Sequence, residues 1–171
     1  MYSGVLAQDE NCFQYRIIAL AKIGKLDLLK AIAPEVLIPL TVARELFAKF
    51  GRESQAIDQA LADFIRVTEV KEIDPGIKIA IAGLDEGEKQ AIALASTLSE
   101  EIVLLLDDRA GRRVAQKLGF STTGSIGVLL RLKEKGAIEN VGVLLSEMRD
   151  RGYWLDDRVV EAAKLLAGEN D

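Results

Sequence analysis

The apolar residues of this chain fall into short continuous runs separated by longer stretches with helical spacing. Val36-Leu37-Ile38, followed by Pro39, and Ile102 to Leu106, ending on Asp107-Asp108, have strand length and turn signals at their ends; Ile65-Arg66-Val67 is a weaker run of the same kind. Continuous apolar strands are typical of parallel sheets covered on both faces. Helical spacing predicts a pair, Ile17 to Ile23 and Leu26 to Ile32, broken at Gly24, then Val42 to Phe50 stopping at Gly51, Asp58 to Phe64, and an alanine-rich helix from Glu86 to Leu98. Arg109 to Leu118 closes at Gly119, Ile126 to Lys135 opens after Gly124-Ser125 and closes at Gly136, and Val141 to Met148 and Asp157 to Leu166 complete the chain. Strands alternating with helices imply right-handed βαβ units and a doubly wound α/β sheet. The last residues, Gly168 to Asp171, are expected to fray.

Composition sharpens this picture chiefly by what it excludes. With 171 residues, 49% of them hydrophobic and 29% charged, the chain suits one well-cored domain. It contains no histidine, which removes Ser-His and Cys-His nucleophilic pairs, histidine acid–base work and the usual zinc sites. Cys12 is the only cysteine, so no internal disulfide can form, as expected in a reducing compartment; it reads as a small apolar residue. No phosphate-binding loop or dinucleotide fingerprint occurs. No secretory signal and no run of the ~20 apolar residues of a membrane helix is visible. The expected location is the cytoplasm, with no membrane partner. The net charge of -5 speaks against a general nucleic-acid coat protein, though not against a nuclease that carries carboxylates at its site and basic residues around it.

The remaining chemistry lies in carboxylates. Ligands of open parallel α/β sheets bind beyond the carboxyl ends of the strands, where Asp107 and Asp108 follow the strongest strand. Asp108 is equally suited to capping the helix that starts at Arg109. Glu88 follows Asp85 with the spacing of a capping box, and Glu45 lies one turn into the helix after Val36–Ile38, where an acid is usually a solvated face. Their common placement in the topology brings them together as candidate ligands. Arg109, Arg112, Arg113 and Lys117 share a helix beside Asp107, either as a solvated face or against a phosphate backbone. Thr122-Thr123-Gly124-Ser125 precedes another helix, either as its cap or as a cradle for phosphate.

Three stretches, Ile18 to Leu29 (IALAKIGKLDLL), Leu84 to Ala95 (LDEGEKQAIALA) and Leu105 to Gly119 (LLDDRAGRRVAQKLG), the last continuing into Thr123 to Gly127 (TGSIG), give the chain a family resemblance. It resembles the PIN-domain family of metal-dependent ribonucleases, and within it a prokaryotic branch related to the toxins of toxin–antitoxin pairs. The resemblance implies a PIN-like three-layer α/β/α fold with a small parallel sheet. Residues 1–16 would form a divergent N-terminal segment, 17–155 the PIN-like domain, and 156–171 its C-terminal helix and tail. It implies Mg²⁺ or Mn²⁺ held by Glu45, Glu88 and Asp107, with Asp108 as an auxiliary. Such a cation would acidify a water and neutralise charge developing at phosphorus. Arg109, Arg112, Arg113, Thr123 and Ser125 are the candidate RNA contacts. The expected partners are an RNA substrate, an antitoxin that inserts into the acidic groove, and a second copy of the chain in a homodimer.

The N-terminus departs from the family pattern. Phe13-Gln14-Tyr15-Arg16 occupies the positions where related proteins carry aspartate, a small residue, a hydroxyl residue and proline. Asp9 and Glu10 could replace the first acid only by rearrangement, since four extended residues span roughly 13 Å. Two functions are therefore expected from the sequence: an endoribonuclease, or a catalytically impaired PIN-fold protein that acts by binding a protein partner or RNA.

Overall fold

The computed structural model describes residues 20–21, 23–48, 54–70, 72–98, 102–152 and 155–169. The segment 1–16, Cys12 within it, and most of the expected Ile17–Ile23 helix lie outside the described residues. Strands β1 (Val36–Pro39) and β2 (Ile65–Thr68) pair in parallel, with Val36 opposite Ile65 and Pro39 opposite Thr68. Strands β3 (Val103–Leu105) and β4 (Ser121–Thr123) form a second parallel pair, with Val103 opposite Ser121. The fold is thus α/β with small parallel sheets, as expected, and among the described residues the strands form two separate pairs. Pro39 closes β1 because it has no N–H to extend the ladder. β3 is covered less completely than its composition suggests: Leu104 and Leu106 are buried, but Val103 is 63% exposed.

Each parallel pair requires a crossover. α1 (Leu40–Ala48) and α2 (Ser54–Asp63) connect β1 to β2, and α5 (Arg109–Lys117) connects β3 to β4. Between the pairs run α3 (Pro75–Ile81) and α4 (Glu86–Ser96); after them come α6 (Ser125–Glu134), α7 (Val141–Asp150) and α8 (Asp157–Leu166). Leu26–Ala31 forms a 3-10 helix rather than a full α-helical turn. Two elements escape the apolar pattern. β4 has no apolar residue and exists because Gly119, at φ 89, ends α5 and lets Phe120 donate back to Ala115, which aims the chain alongside β3. α3 is too short to show a period, but Asp74 caps it through Gly76 and Ile77 ahead of Pro75, a helix start the sequence does carry. No helix among the described residues is long and apolar enough to cross a membrane.

Two clusters of buried side chains hold these elements. One joins Ile38, Val42 and Ile65 to Leu132, Leu144 and Leu145 across β1, β2, α1, α6 and α7. The other joins Ile81, Ile92, Leu104, Leu106 and Ala115. Helix α4 packs against β1 and α1 as well as β3 and α3. Its residues Ile92, Ala93, Leu94 and Ala95 are consecutively buried, so the helix is enclosed on all sides. That is why it is alanine-rich: small side chains let four elements approach one helix. Each fully buried large side chain in these clusters contributes roughly 1.5–3 kcal/mol.

The chain end is tied down rather than frayed as far as Glu169. Its carboxylate accepts from the N–H groups of Val141 (2.6 Å) and Gly142 (2.8 Å) at the start of α7 and from Lys133 Nζ (2.6 Å) on α6; Lys133 also donates to the Ala167 carbonyl. An acid at a helix N-terminus gains from the helix dipole as well as these bonds. Burial opposes ionisation of Glu169, but Lys133 and the two N–H donors outweigh it and hold its pKa below the ordinary 4.5. A lowered acid pKa contributes stability above the unfolded-state value, and that contribution is lost as pH falls through the folded value. Glu169→Ala is expected to cost about 1–3 kcal/mol at pH 7, with the difference from the parent shrinking below about pH 4.5. Urea unfolding at the two pH values checks this; equal stability of the variant at pH 7 would contradict it.

Candidate active site

The carboxyl end of β3 runs into the amino ends of two helices, and each takes one of the tandem acids. Asp108 is the N-cap of α5: its Oδ2 accepts from Ala110 (2.5 Å) and Gly111 (3.2 Å), with the extended backbone of a cap residue. Asp107, one residue past the buried Leu106, turns instead to α6. Its Oδ1 accepts from the Ser125 N–H (2.8 Å) and its Oδ2 from the Ser125 hydroxyl (2.5 Å). Of the two readings of Thr122-Thr123-Gly124-Ser125, the helix start therefore carries an anion from within the chain. Ser125 is 7% exposed and engaged with Asp107 rather than displayed for RNA. Thr123 likewise turns inward, donating to the Gly124 carbonyl and lying against Gly127.

Glu88 reaches the same region from α4. Asp85 caps this helix by accepting from the Glu88 N–H at 2.8 Å, and the Asp85 backbone returns a hydrogen bond to the Glu88 carboxylate, so the capping-box reading is realised. The cap does not exhaust the side chain, which lies against the first turn of α5. A Cβ placed on Gly111 would stand 2.2 Å from Glu88 Oε1 and 2.6 Å from its carboxyl carbon. Desolvation, followed by the charges of Asp85 and Asp108, pushes the Glu88 pKa up to about 7. Glu45 lies on α1, which packs against α4, but its side chain is outside the described residues.

The basic helix is divided by burial. Arg109, Arg113 and Lys117 are exposed, whereas Arg112 is half-buried with its guanidinium directed toward Asp107. A Cβ on Gly124 would fall 2.9 Å from Arg112 Nη1 and 3.2 Å from Asp107 Oδ1, so the absent side chain is what lets cation and carboxylate face each other. Gly111 and Gly124 are functional positions that sequence reasoning passed over. Gly111 left a readable signal: a glycine inside a helix costs about 0.5–1 kcal/mol relative to alanine and so marks a close approach. Thr41, in the first turn of α1, was also missed; its hydroxyl is buried without a hydrogen-bond partner among the described residues.

The structure thus brings Glu88, Asp85 and Asp108 to one side of the first turn of α5, and Asp107, Arg112 and Ser125 to the other. Among the described residues no three acidic side chains surround a point that could hold a metal ion. The donors are all carboxylate or hydroxyl oxygens. Such a set fits a hard divalent ion of the Mg²⁺ type, which takes one or two carboxylates and completes its shell with water and phosphate. The raised pKa of Glu88 marks negative potential that a cation would relieve. An acid with a raised folded pKa favours the folded state only while protonated, so its stabilising contribution is present below about pH 4.5 and is lost as pH rises through about 7. In the absence of divalent ions, Glu88→Gln is therefore expected to gain on the order of 1–2 kcal/mol over the parent at pH 8 and nothing at pH 4. Thermal melts at both pH values test this; an equal effect at both would refute it.

Residues 16–169 match the family model of a PIN domain (DUF3368). No curated protein and no solved structure matches the chain. That match spans nearly the whole chain and coincides with small parallel sheets whose carboxyl ends carry acids: the chain belongs to the PIN-domain family, a family of nucleases.

Proposed function

We propose that the protein hydrolyses RNA phosphodiester bonds as a divalent-metal-dependent endoribonuclease and serves as the toxin of a toxin–antitoxin pair. The observation that carries this reading is the half-buried Glu88 carboxyl, held among acids opposite Asp107 across the first turn of α5. PIN domains as a class work with divalent ions. Glu88 and Asp107 are the residues that would hold the ion, Mg²⁺ or Mn²⁺, with Glu45 as a third ligand from α1 and Asp108 contributing charge while it caps α5. When bound, the ion supplies neutralisation of charge developing at phosphorus and acidification of a water. Arg112 is placed to donate to a phosphate oxygen beside Asp107, while the exposed Arg109 and Arg113 meet the backbone further along the strand. The antitoxin and the homodimer rest on the family resemblance alone.

A second reading is favoured by one feature of the sequence. Phe13 stands where the family carries its first acid, which supports a PIN-fold protein with reduced catalysis that works by binding a partner. Cleavage of single-stranded RNA with Mg²⁺ or Mn²⁺ separates the two. The nuclease reading expects cleavage that chelator abolishes, and a fall of at least about 100-fold in Asp107→Ala and Glu88→Ala. Arg112→Ala is expected to lose about 10–100-fold, chiefly through weaker phosphate contact. Undiminished cleavage in chelator would sink the metal-dependent reading, and no cleavage with any divalent ion would leave the partner-binding one.

A further inference from the structure

Ser125 does more to Asp107 than close a helix end. The other aspartate caps, Asp74, Asp85 and Asp108, each accept their cap bonds through a single carboxylate oxygen. Asp107 is addressed at both oxygens by one residue 18 positions away, through the Ser125 N–H at Oδ1 and the hydroxyl at Oδ2. Donors on separate oxygens fix the rotation of the carboxylate plane about the Cβ–Cγ bond, which a single cap bond does not. Each carboxylate oxygen has two lone pairs, so one on each is left after Ser125 has been served. Ser125 is itself held by burial at 7% exposure, and α6 behind it is anchored by the buried Leu129 and Leu132. The orienting group is therefore as rigid as the core, and the helix amino end favours the charged carboxylate.

We infer that Ser125 is a positioning residue that orients Asp107 toward a divalent cation and does not itself contact RNA. The inference rests on the reading of Asp107 as a cation ligand. Groups that hold a ligand in place typically account for 10–100-fold in metal affinity. The test is a Mn²⁺ titration of the purified full chain, following free ion by electron paramagnetic resonance, with the metal-free melting temperature measured in parallel. Ser125→Ala is expected to bind Mn²⁺ at least about 10-fold more weakly, and Ser125→Thr, which keeps the hydroxyl, to bind within about 3-fold of the parent. If the alanine variant does not fold, Ser125→Cys, nearly the same size with a weak donor, carries the same expectation. Parent-like Mn²⁺ affinity in Ser125→Ala or Ser125→Cys, alongside lost affinity in Asp107→Asn, would overturn the positioning role while leaving Asp107 a ligand. Parent-like affinity in Asp107→Asn would overturn both.

Discussion

Two adjacent aspartates at the end of one strand determine how the rest of this site is built. Like charges on neighbouring residues repel, and at the mouth of a sheet they are poorly solvated. Here the strain is divided between two helix amino ends: Asp108 satisfies the first N–H groups of α5, and Asp107 those of α6. Because the two helices follow β3 and β4, which pair in parallel, their amino ends open on the same side. The turn after β3 is thereby locked to two helices at once, and everything near the site takes its position from that turn.

The second constraint is close packing without side chains. Gly111 lets the Glu88 carboxyl lie against α5, and Gly124 lets Arg112 face Asp107. Neither glycine has a positive φ, so conformational freedom is not the reason for it; the space a Cβ would take is. Helix α4 delivers Glu88 with little play because Ile92 to Ala95 are buried one turn further along. The result is a carboxyl held near other acids and away from water, which costs folding stability at neutral pH. Strain of this kind, retained at the carboxyl end of parallel strands, is what a site built for a cation would carry.

Helix α6 connects that end of the molecule to the chain terminus. Ser125 at its start holds Asp107, while Lys133 in its last turn holds Glu169, which in turn caps α7. Val128, Leu129 and Leu132 seat the helix in the core between these two ends. A charge pair alone would fix neither end well. Combined with the buried stripe, the two polar contacts set the axial position of the helix, and with it the placement of the Ser125 donors.

Much of this was legible in the residues. Val36–Ile38 and Ile102–Leu106 announced strands because a covered strand must be apolar along its length, and Gly119 and Gly136 announced helix ends because few other residues turn the chain there at low cost. The capping boxes of Asp85 and Asp108 were equally visible, since a cap is a local bond between near neighbours. The family resemblance identified Glu88 and Asp107 as a pair. What the residues could not convey were contacts between distant positions. β4 has no apolar signal and forms only because β3 offers it a ladder. Glu169 reads as a frayed tail until α7 presents two unpaired N–H groups to it. Ser125 reads as a cap or an RNA contact until the fold sets it beside an aspartate 18 residues earlier. Local hydrogen bonds and periodic burial are written along the chain, whereas partners far apart in sequence are chosen only when packing brings them together.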